Sequence, residues 1–263
     1  MQCLHCGEAM TGRQRKYCTR KCGDAAYYLR KTECRTELPQ APVLHQGRFQ
    51  DYAARYAGLV DVLITDPPYA RKSLPLYTDL AAFAKTTLVP GGWFLCLTGW
   101  GIDEEARATF RAHGLSFRTV CCYHMPSTRS KARKNSSTGF YTWQEHHKPL
   151  LWFEQPGVER RQRGGGTDLV MGSTDMDQHA RPWEQSLTAF RNIIRQYTDP
   201  PHVICDPFMG WGTTLIAAVM KRRDRVIGIE LEADRYAFAC EQVDVARVQR
   251  EAYQRPISTP RAS

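Results

Sequence analysis

Apolar and polar positions fall into two alternating patterns along the chain. Val60-Asp61-Val62-Leu63-Ile64-Thr65 is a short apolar, β-branched run closed by turn residues, the signature of a buried strand. Trp93 to Thr98 repeats it, and Val43–His45, Val203–Cys205 and Val226–Ile229 are shorter versions. Phe117 to Tyr123 and Pro149 to Phe153 are two further predicted strands. Between them lie stretches with helical periodicity: Asp51 to Tyr56, Asp79 to Leu88, Asp103 to His113, Trp183 to Tyr197, Thr213 to Lys221, and Asp234 to about Glu251. Thr78 or Asp79 would start the second of these, and Pro90-Gly91-Gly92 would stop it. Strands alternating with helices predict an α/β fold with a mostly parallel, doubly wound sheet. Such sheets bind ligands at the carboxyl ends of their strands, near the point where strand order reverses. No internal repeat is present.

Two segments break the alternation. Pro126 to Glu145 carries Arg129, Lys131, Arg133 and Lys134 among Ser, Asn and Gly, then Phe140, Tyr141 and Trp143. Gln155 to Gln178 is strand-poor and holds Arg160, Arg161 and Arg163 just before Gly164-Gly165-Gly166. Both read as loops. Their clustered cations would suit an anionic partner. At the front, residues 1 to about 35 form a zone rich in Cys, Lys, Arg and Gly, joined by Leu38-Pro39-Gln40-Ala41-Pro42 to the rest. The expected division is a small module over 1–35, a large domain over 36–254 with recognition loops at about 125–146 and 155–180, and a tail over 255–263.

Composition narrows the class. With 263 residues, 42% of them hydrophobic, the chain can build one large α/β domain and little besides. The net charge of +9 and a pI of about 9.1 suggest a polyanionic partner, although the same surplus could serve solubility alone. No run approaches the ~20 apolar residues that cross a bilayer. The front, Met1-Gln2-Cys3-Leu4-His5, lacks a basic-then-apolar leader. The expectation is a cytoplasmic protein with no membrane contact; a homodimer is left open.

The first chemical motif is Asp66-Pro67-Pro68-Tyr69, directly after the Val60–Thr65 run. Asp66 and Pro67 each precede a proline and are pushed toward extended geometry. Pro67 and Pro68 have no N–H. The turn therefore offers acceptors, namely the Asp66 carboxylate and the Pro67 carbonyl, and few donors. An exocyclic amino group carries two N–H donors and suits that pair. Its nitrogen is a poor nucleophile because the lone pair is delocalised into the ring. Acceptors gripping its hydrogens favour a localised lone pair able to attack an electrophilic methyl group, the counterpart of an oxyanion hole. Tyr69 offers a flat face for an extruded base. The bland reading is a proline-rich turn that merely closes a strand.

The second motif is Asp206-Pro207-Phe208-Met209-Gly210-Trp211-Gly212-Thr213-Thr214, which follows a strand and opens a helix. Gly210 and Gly212 permit a tight turn and close approach of backbone to a ligand. Thr213 or Thr214 could cap the helix. Glu230, eighteen positions beyond Gly212 and at the end of the next strand, could bind ribose hydroxyls. A dinucleotide turn would carry a third glycine where Leu215 stands. An acid ahead of the glycines would repel a pyrophosphate and suits a cationic ligand instead.

The two motifs, in this order and context, resemble the β-group of amino-methyltransferases that act on DNA. The resemblance covers about residues 42 to 245 and implies a Rossmann-like class I methyltransferase sheet in circularly permuted order. Val43 to Gly47 would then supply the strand that the C-terminal half lacks. It further implies S-adenosylmethionine as cofactor and double-stranded DNA as partner. Asp66, Pro67, Pro68 and Tyr69 become catalytic, and Asp206, Phe208, Gly210, Gly212 and Thr213 hold the methionine part of the cofactor. Glu230 takes the ribose and Leu231 the adenine. Ser186, in Arg181-Pro182-Trp183-Glu184-Gln185-Ser186, and Thr65 complete the cofactor set. The family usually has Gly-Asp where this chain has Gly47-Arg48, and Lys-Pro in the segment that here holds Ser186. Asp-Pro-Pro-Tyr implies adenine N6 as the target, with cytosine N4 as the alternative. A nicotinamide oxidoreductase and a non-enzymatic zinc-finger DNA-binding protein are the remaining readings.

The front module has its own chemistry. Ten cysteines occur, and four cluster as Cys3-x₂-Cys6 and Cys18-x₃-Cys22, with eleven residues between the pairs. Four thiolates at this spacing suit a structural, tetrahedral Zn²⁺. So small a module buries too little surface to fold without such help. Tyr17-Cys18-Thr19-Arg20-Lys21-Cys22 resembles the second half of small treble-clef fingers.

Overall fold

The computed structural model describes residues 40–124, 147–157, 167–172 and 184–252, with the backbone of two short strands, Arg133–Lys134 and Thr142–Trp143. Contacts divide the chain between Leu38 and Pro39, and all described residues belong to the second unit. The four clustered cysteines lie outside the described residues, as do Arg129, Lys131, Arg160, Arg161, Arg163 and the tail.

The strands are β1 (Val43–Gln46), β2 (Val60–Thr65), β3 (Leu88–Leu97), β4 (Ser116–His124), β5 (Arg133–Lys134), β6 (Thr142–Trp143), β7 (His147–Glu154), β8 (Leu169–Met171), β9 (Ile204–Asp206) and β10 (Val226–Glu230). The helices are α1 (Leu74–Thr87), α2 (Asp103–Ala112), α3 (Leu187–Tyr197), α4 (Thr213–Met220) and α5 (Ala233–Ala252). Eight strands form one sheet in the order β1-β10-β9-β2-β3-β7-β4-β8, and β5 pairs with β6 apart from it. Strands β1, β10, β9, β2 and β3 are mutually parallel, whereas β7 runs antiparallel to both β3 and β4.

The strand β1, from the front of the domain, pairs with β10 near its end, Gln46 opposite Glu230. It supplies the missing outer strand, as the permuted order requires. The middle strands β2, β9 and β10 are buried throughout, as expected for parallel strands covered on both faces. Alternation sorts their side chains. Val62, Ile64, Leu95, Leu97 and Ile204 pack with Phe190, Ile193 and Ala217 of the α3 and α4 face. On the other face Phe94 stacks edge-on to Phe110 of α2, 4.8 Å between centroids, and Phe110 meets Phe153 at 5.3 Å.

Several elements differ from the sequence expectation. Helix α1 starts at Leu74 rather than near Asp79, because Pro75 falls in the first turn, where its missing N–H costs nothing. Pro90-Gly91-Gly92 does not lie between elements. Val60 pairs with Leu88 but Val62 pairs with Trp93, so Val89–Gly92 is looped out as a bulge inside β3. Gly92 is required there, since a Cβ would stand 2.8 Å from the Val89 carbonyl oxygen. In place of the predicted helix over Asp51–Tyr56 the chain forms a 3-10 turn at Phe49–Tyr52, pinned by buried Phe49, and then only turns up to β2. Helix α3 begins at Leu187 because Ser186 caps it, its Oγ accepting from the Ala189 N–H at 3.3 Å. The segment read as strand-poor contributes β8, which pairs parallel to β4 at the sheet edge. Among the described residues no helix is long and apolar enough to cross a membrane.

Candidate active site

The direction of strand order reverses between β9 and β2, which are hydrogen-bonded neighbours with Leu63 opposite Cys205. The acidic turn leaves the carboxyl end of β2, and the glycine turn leaves the carboxyl end of β9. Two motifs about 140 residues apart in sequence therefore open from adjacent strands at the switch point.

The acidic turn is held from below and from the side. Pro67 is buried, and the Pro68 carbonyl accepts from the hydroxyl of fully buried Tyr77 at 3.3 Å. Gly99 lets Tyr69 lie close, because a Cβ there would meet the Tyr69 Cβ at 3.0 Å. The Lys148 ammonium donates to the Tyr69 hydroxyl at 3.2 Å and sits 4.9 Å from the ring centroid. Asp66 Oδ2 accepts a hydrogen bond from the Gln185 side-chain amide, while Asp66 Oδ1 is buried without a partner. Burial pushes the Asp66 carboxyl up to about 6, against the opposing effects of the Lys148 charge and the Gln185 hydrogen bond.

The glycine turn is shaped by two acids. Asp206 Oδ1 accepts from the Phe208 N–H at 3.0 Å, and Oδ2 accepts from the Thr214 hydroxyl. Thr214 thus bonds Asp206 instead of capping α4, whose N-cap is Gly212 with φ +87°. A Cβ on Gly212 would also meet the Ala239 Cβ at 3.0 Å. Glu230 Oε2 accepts from Gly210 N–H and its Oε1 from Glu232 N–H, both at 2.9 Å. Gly228 in β10 allows the turn to settle on the sheet, since a Cβ would fall 2.4 Å from Met209 Sδ. Burial pushes the Asp206 carboxyl up to about 7; hydrogen bonds oppose this, and the Asp66 charge adds to it.

The structure brings Asp66, Pro67, Pro68, Tyr69, Thr65, Ser186, Asp206, Phe208, Gly210, Gly212 and Thr213 to this one edge of the sheet. Thr65 is fully buried with its hydroxyl beside the Asp206 carboxylate, so it shapes the floor. Phe208 is half-buried and packs on Phe49 at 5.0 Å. Glu230 is buried, whereas Leu231 after it is 60% exposed, an apolar side chain available to a ligand. Arg133 and Lys134 are described only as backbone, in β5. Lys148 and Gln185 were not singled out from sequence. Lys148 announces itself only as a cation entering an apolar strand, and Gln185 lies in the segment noted for Ser186.

A buried acid pair at a glycine turn repels phosphates and suits a cation. With the permuted sheet, this defines a Rossmann-like class I methyltransferase. Solved structures of the same fold include the M1.HpyAVI–SAM complex, at TM-score 0.62 and 19% identity over 76% of this chain and 99% of that one. TTHA0409 of Thermus thermophilus, by name a DNA modification methylase and complexed with S-adenosyl-L-methionine, gives 0.59 and 20% over 79% and 96%. The cytosine-N4-specific PvuII DNA methyltransferase gives 0.61 and 14% over 82% and 95%.

Residues 123–241 match the DNA methylase family of N6 and N4 methyltransferases. YubD of Escherichia coli (strain K12), by its name a methylase, is 36% identical over 208 residues, 74% of this chain and 86% of YubD. The chain belongs to this DNA methylase family.

Proposed function

We propose that the protein transfers a methyl group from S-adenosylmethionine to the N6 amino group of an adenine extruded from double-stranded DNA. The observation that carries this reading is Asp66: one carboxylate oxygen is held by Gln185, and the other is buried without a partner. A buried acceptor without a donor is costly, and an exocyclic amino group would supply the donor. The Pro67 carbonyl would take the second N–H. Tyr69, steadied by Lys148, would stack on the base.

The cofactor would supply a methyl group already activated by positive charge on sulfur. The residues present fit it. Asp206 and Asp66 provide negative charge in a poorly solvated place, and the N-terminus of α3 behind Ser186 suits a carboxylate. Glu230 keeps lone pairs for hydroxyl donors, and exposed Leu231 offers an apolar contact for a ring. Asp206 itself is occupied by Phe208 and Thr214, so it acts through the turn it shapes and through its charge. The same acids disfavour a nicotinamide dinucleotide.

The contacts proposed for Arg129, Lys131, Arg133, Lys134, Arg160, Arg161 and Arg163 are to DNA phosphates, and the Cys3, Cys6, Cys18 and Cys22 set is proposed to bind structural zinc within a module over residues 1–35. The deciding experiment is incubation of duplex DNA with methyl-labelled cofactor, followed by nucleoside mass spectrometry. Labelled N6-methyladenine is expected. Labelled N4-methylcytosine would reassign the target base, and absence of label in either would end the reading.

A further inference from the structure

The hydrogen-bond donors around Asp66 form a directed chain. The Ser186 N–H donates to the Tyr123 hydroxyl oxygen at 3.4 Å. The Tyr123 O–H donates to Gln185 Oε1 at 3.3 Å. The Gln185 amide N–H donates to Asp66 Oδ2. Three elements meet here: the cap of α3, the end of β4 and the turn after β2. Tyr123 is 1% exposed, so its hydroxyl has little water to turn to and must place its proton within the protein. With its oxygen end engaged by Tyr123, the Gln185 amide can present only its NH₂ end to Asp66.

We propose that Gln185 is a positioning residue for Asp66: its amide occupies one carboxylate oxygen and reserves the other for the amino group of the target base. This inference rests on the methyl-transfer reading above. A carboxylate with both oxygens open could rotate and accept the amino group in several poses. One pinned at Oδ2 offers a single acceptor, Oδ1, in a fixed direction. The hydrogen bond also favours the ionised carboxylate, alongside the Lys148 charge and against burial, which favours the protonated form. The roles are divided: Lys148 supplies charge and holds Tyr69, and Gln185 supplies direction. Gln185 can do this only as a donor, so an acid in its place would set two carboxylates against each other.

The test is the titration of the Asp66 carboxyl by ¹³C NMR in the full cofactor-free chain, assigned by comparison with Asp66→Asn. Gln185→Leu removes the donor, and the midpoint is expected to rise by about one pH unit. Gln185→Lys restores a donor and is expected to return it to the wild-type value or below. Tyr123→Phe is expected to move it in the Leu direction by less. In transfer assays Gln185→Leu is expected to lower kcat about 10- to 100-fold, with the cofactor Kd unmoved. A Gln185→Leu protein that folds and titrates like wild type would overturn the proposal. So would a Lys variant indistinguishable from the Leu variant. Failure of the wild-type protein to transfer a methyl group would instead refute the activity, which the titration does not depend on.

Discussion

Asp66 and Asp206 close two adjacent parallel strands, and the charge of Asp66 raises the proton affinity of Asp206. Two acids that burial already disfavours as anions are thereby set against each other. That arrangement opposes stability in the free protein and attracts a cation.

The first prediction concerns stability. Both acids bind a proton more tightly folded than unfolded, so their contribution to stability falls as pH rises from about 4 to about 7. Asp206→Asn removes one of these charges while keeping an acceptor for Phe208. Its melting temperature is expected to match wild type near pH 4 and to exceed it by about 3 °C at pH 8. A variant less stable than wild type at pH 8 would mean that the bonds from Phe208 and Thr214 outweigh the burial cost.

The second concerns rate. In the proposed role Asp66 accepts the amino hydrogens as a carboxylate, and burial pushes its carboxyl up to about 6. The kcat/KM for methyl transfer, which reports groups of the free enzyme, is expected to fall about tenfold per pH unit below that point. A kcat/KM flat down to pH 4.5 would remove the Asp66 carboxylate as the acceptor of the amino hydrogens.

The third isolates the acceptor. Asp66→Ala is expected to lower kcat by roughly 10²- to 10³-fold or more, the cost of removing one preorganised partner of a developing charge. Cofactor affinity, read by calorimetry, is expected to fall far less, about 3- to 10-fold, because Asp206 still faces the cation. Near-normal turnover would refute the assignment.

The fourth tests the fit of the glycine turn on the sheet. Gly228→Ala drives a methyl group into Met209 and Leu215. The expected destabilisation is about 1–3 kcal/mol, with cofactor affinity lost as the turn lifts. Thermal melts and a binding titration check both, and an unaltered Tm would show that the turn relaxes freely.

The fifth concerns the front module. If Cys3, Cys6, Cys18 and Cys22 hold a metal, purified protein should carry one zinc per chain by elemental analysis. Cys18→Ser should release it, leaving the methyltransferase domain folded. Absence of zinc from protein purified without chelator would refute the site.

Much of this architecture was legible in the sequence. The β2 strand has the predicted limits, and α2 starts at the predicted Asp103, because each is bounded by strong local signals. Burial on both faces made the central strands plain as continuous apolar runs. Misjudged elements were those where one residue has two meanings: Pro75 fits the first turn of a helix, and Pro90-Gly91-Gly92 fits a bulge as well as a stop. The two motifs were visible as tetrapeptide and glycine turn, but their partners were not. Gln185 reaches Asp66 across 119 positions and Lys148 reaches Tyr69 across 79, and no local pattern encodes such pairings. Likewise Thr214 suggested a helix cap, and only the fold shows that it serves Asp206.

The pairing of β1 with β10 bears on how the molecule is assembled. Among the described strands the first waits for the last, so the sheet gains its outer edge only when synthesis of the domain is nearly done. Until then Val43–Gln46 has no neighbour, and closing so long a loop slows the final step. A nascent or C-terminally shortened chain would thus leave β1 as an unpaired edge, open to strands of other molecules.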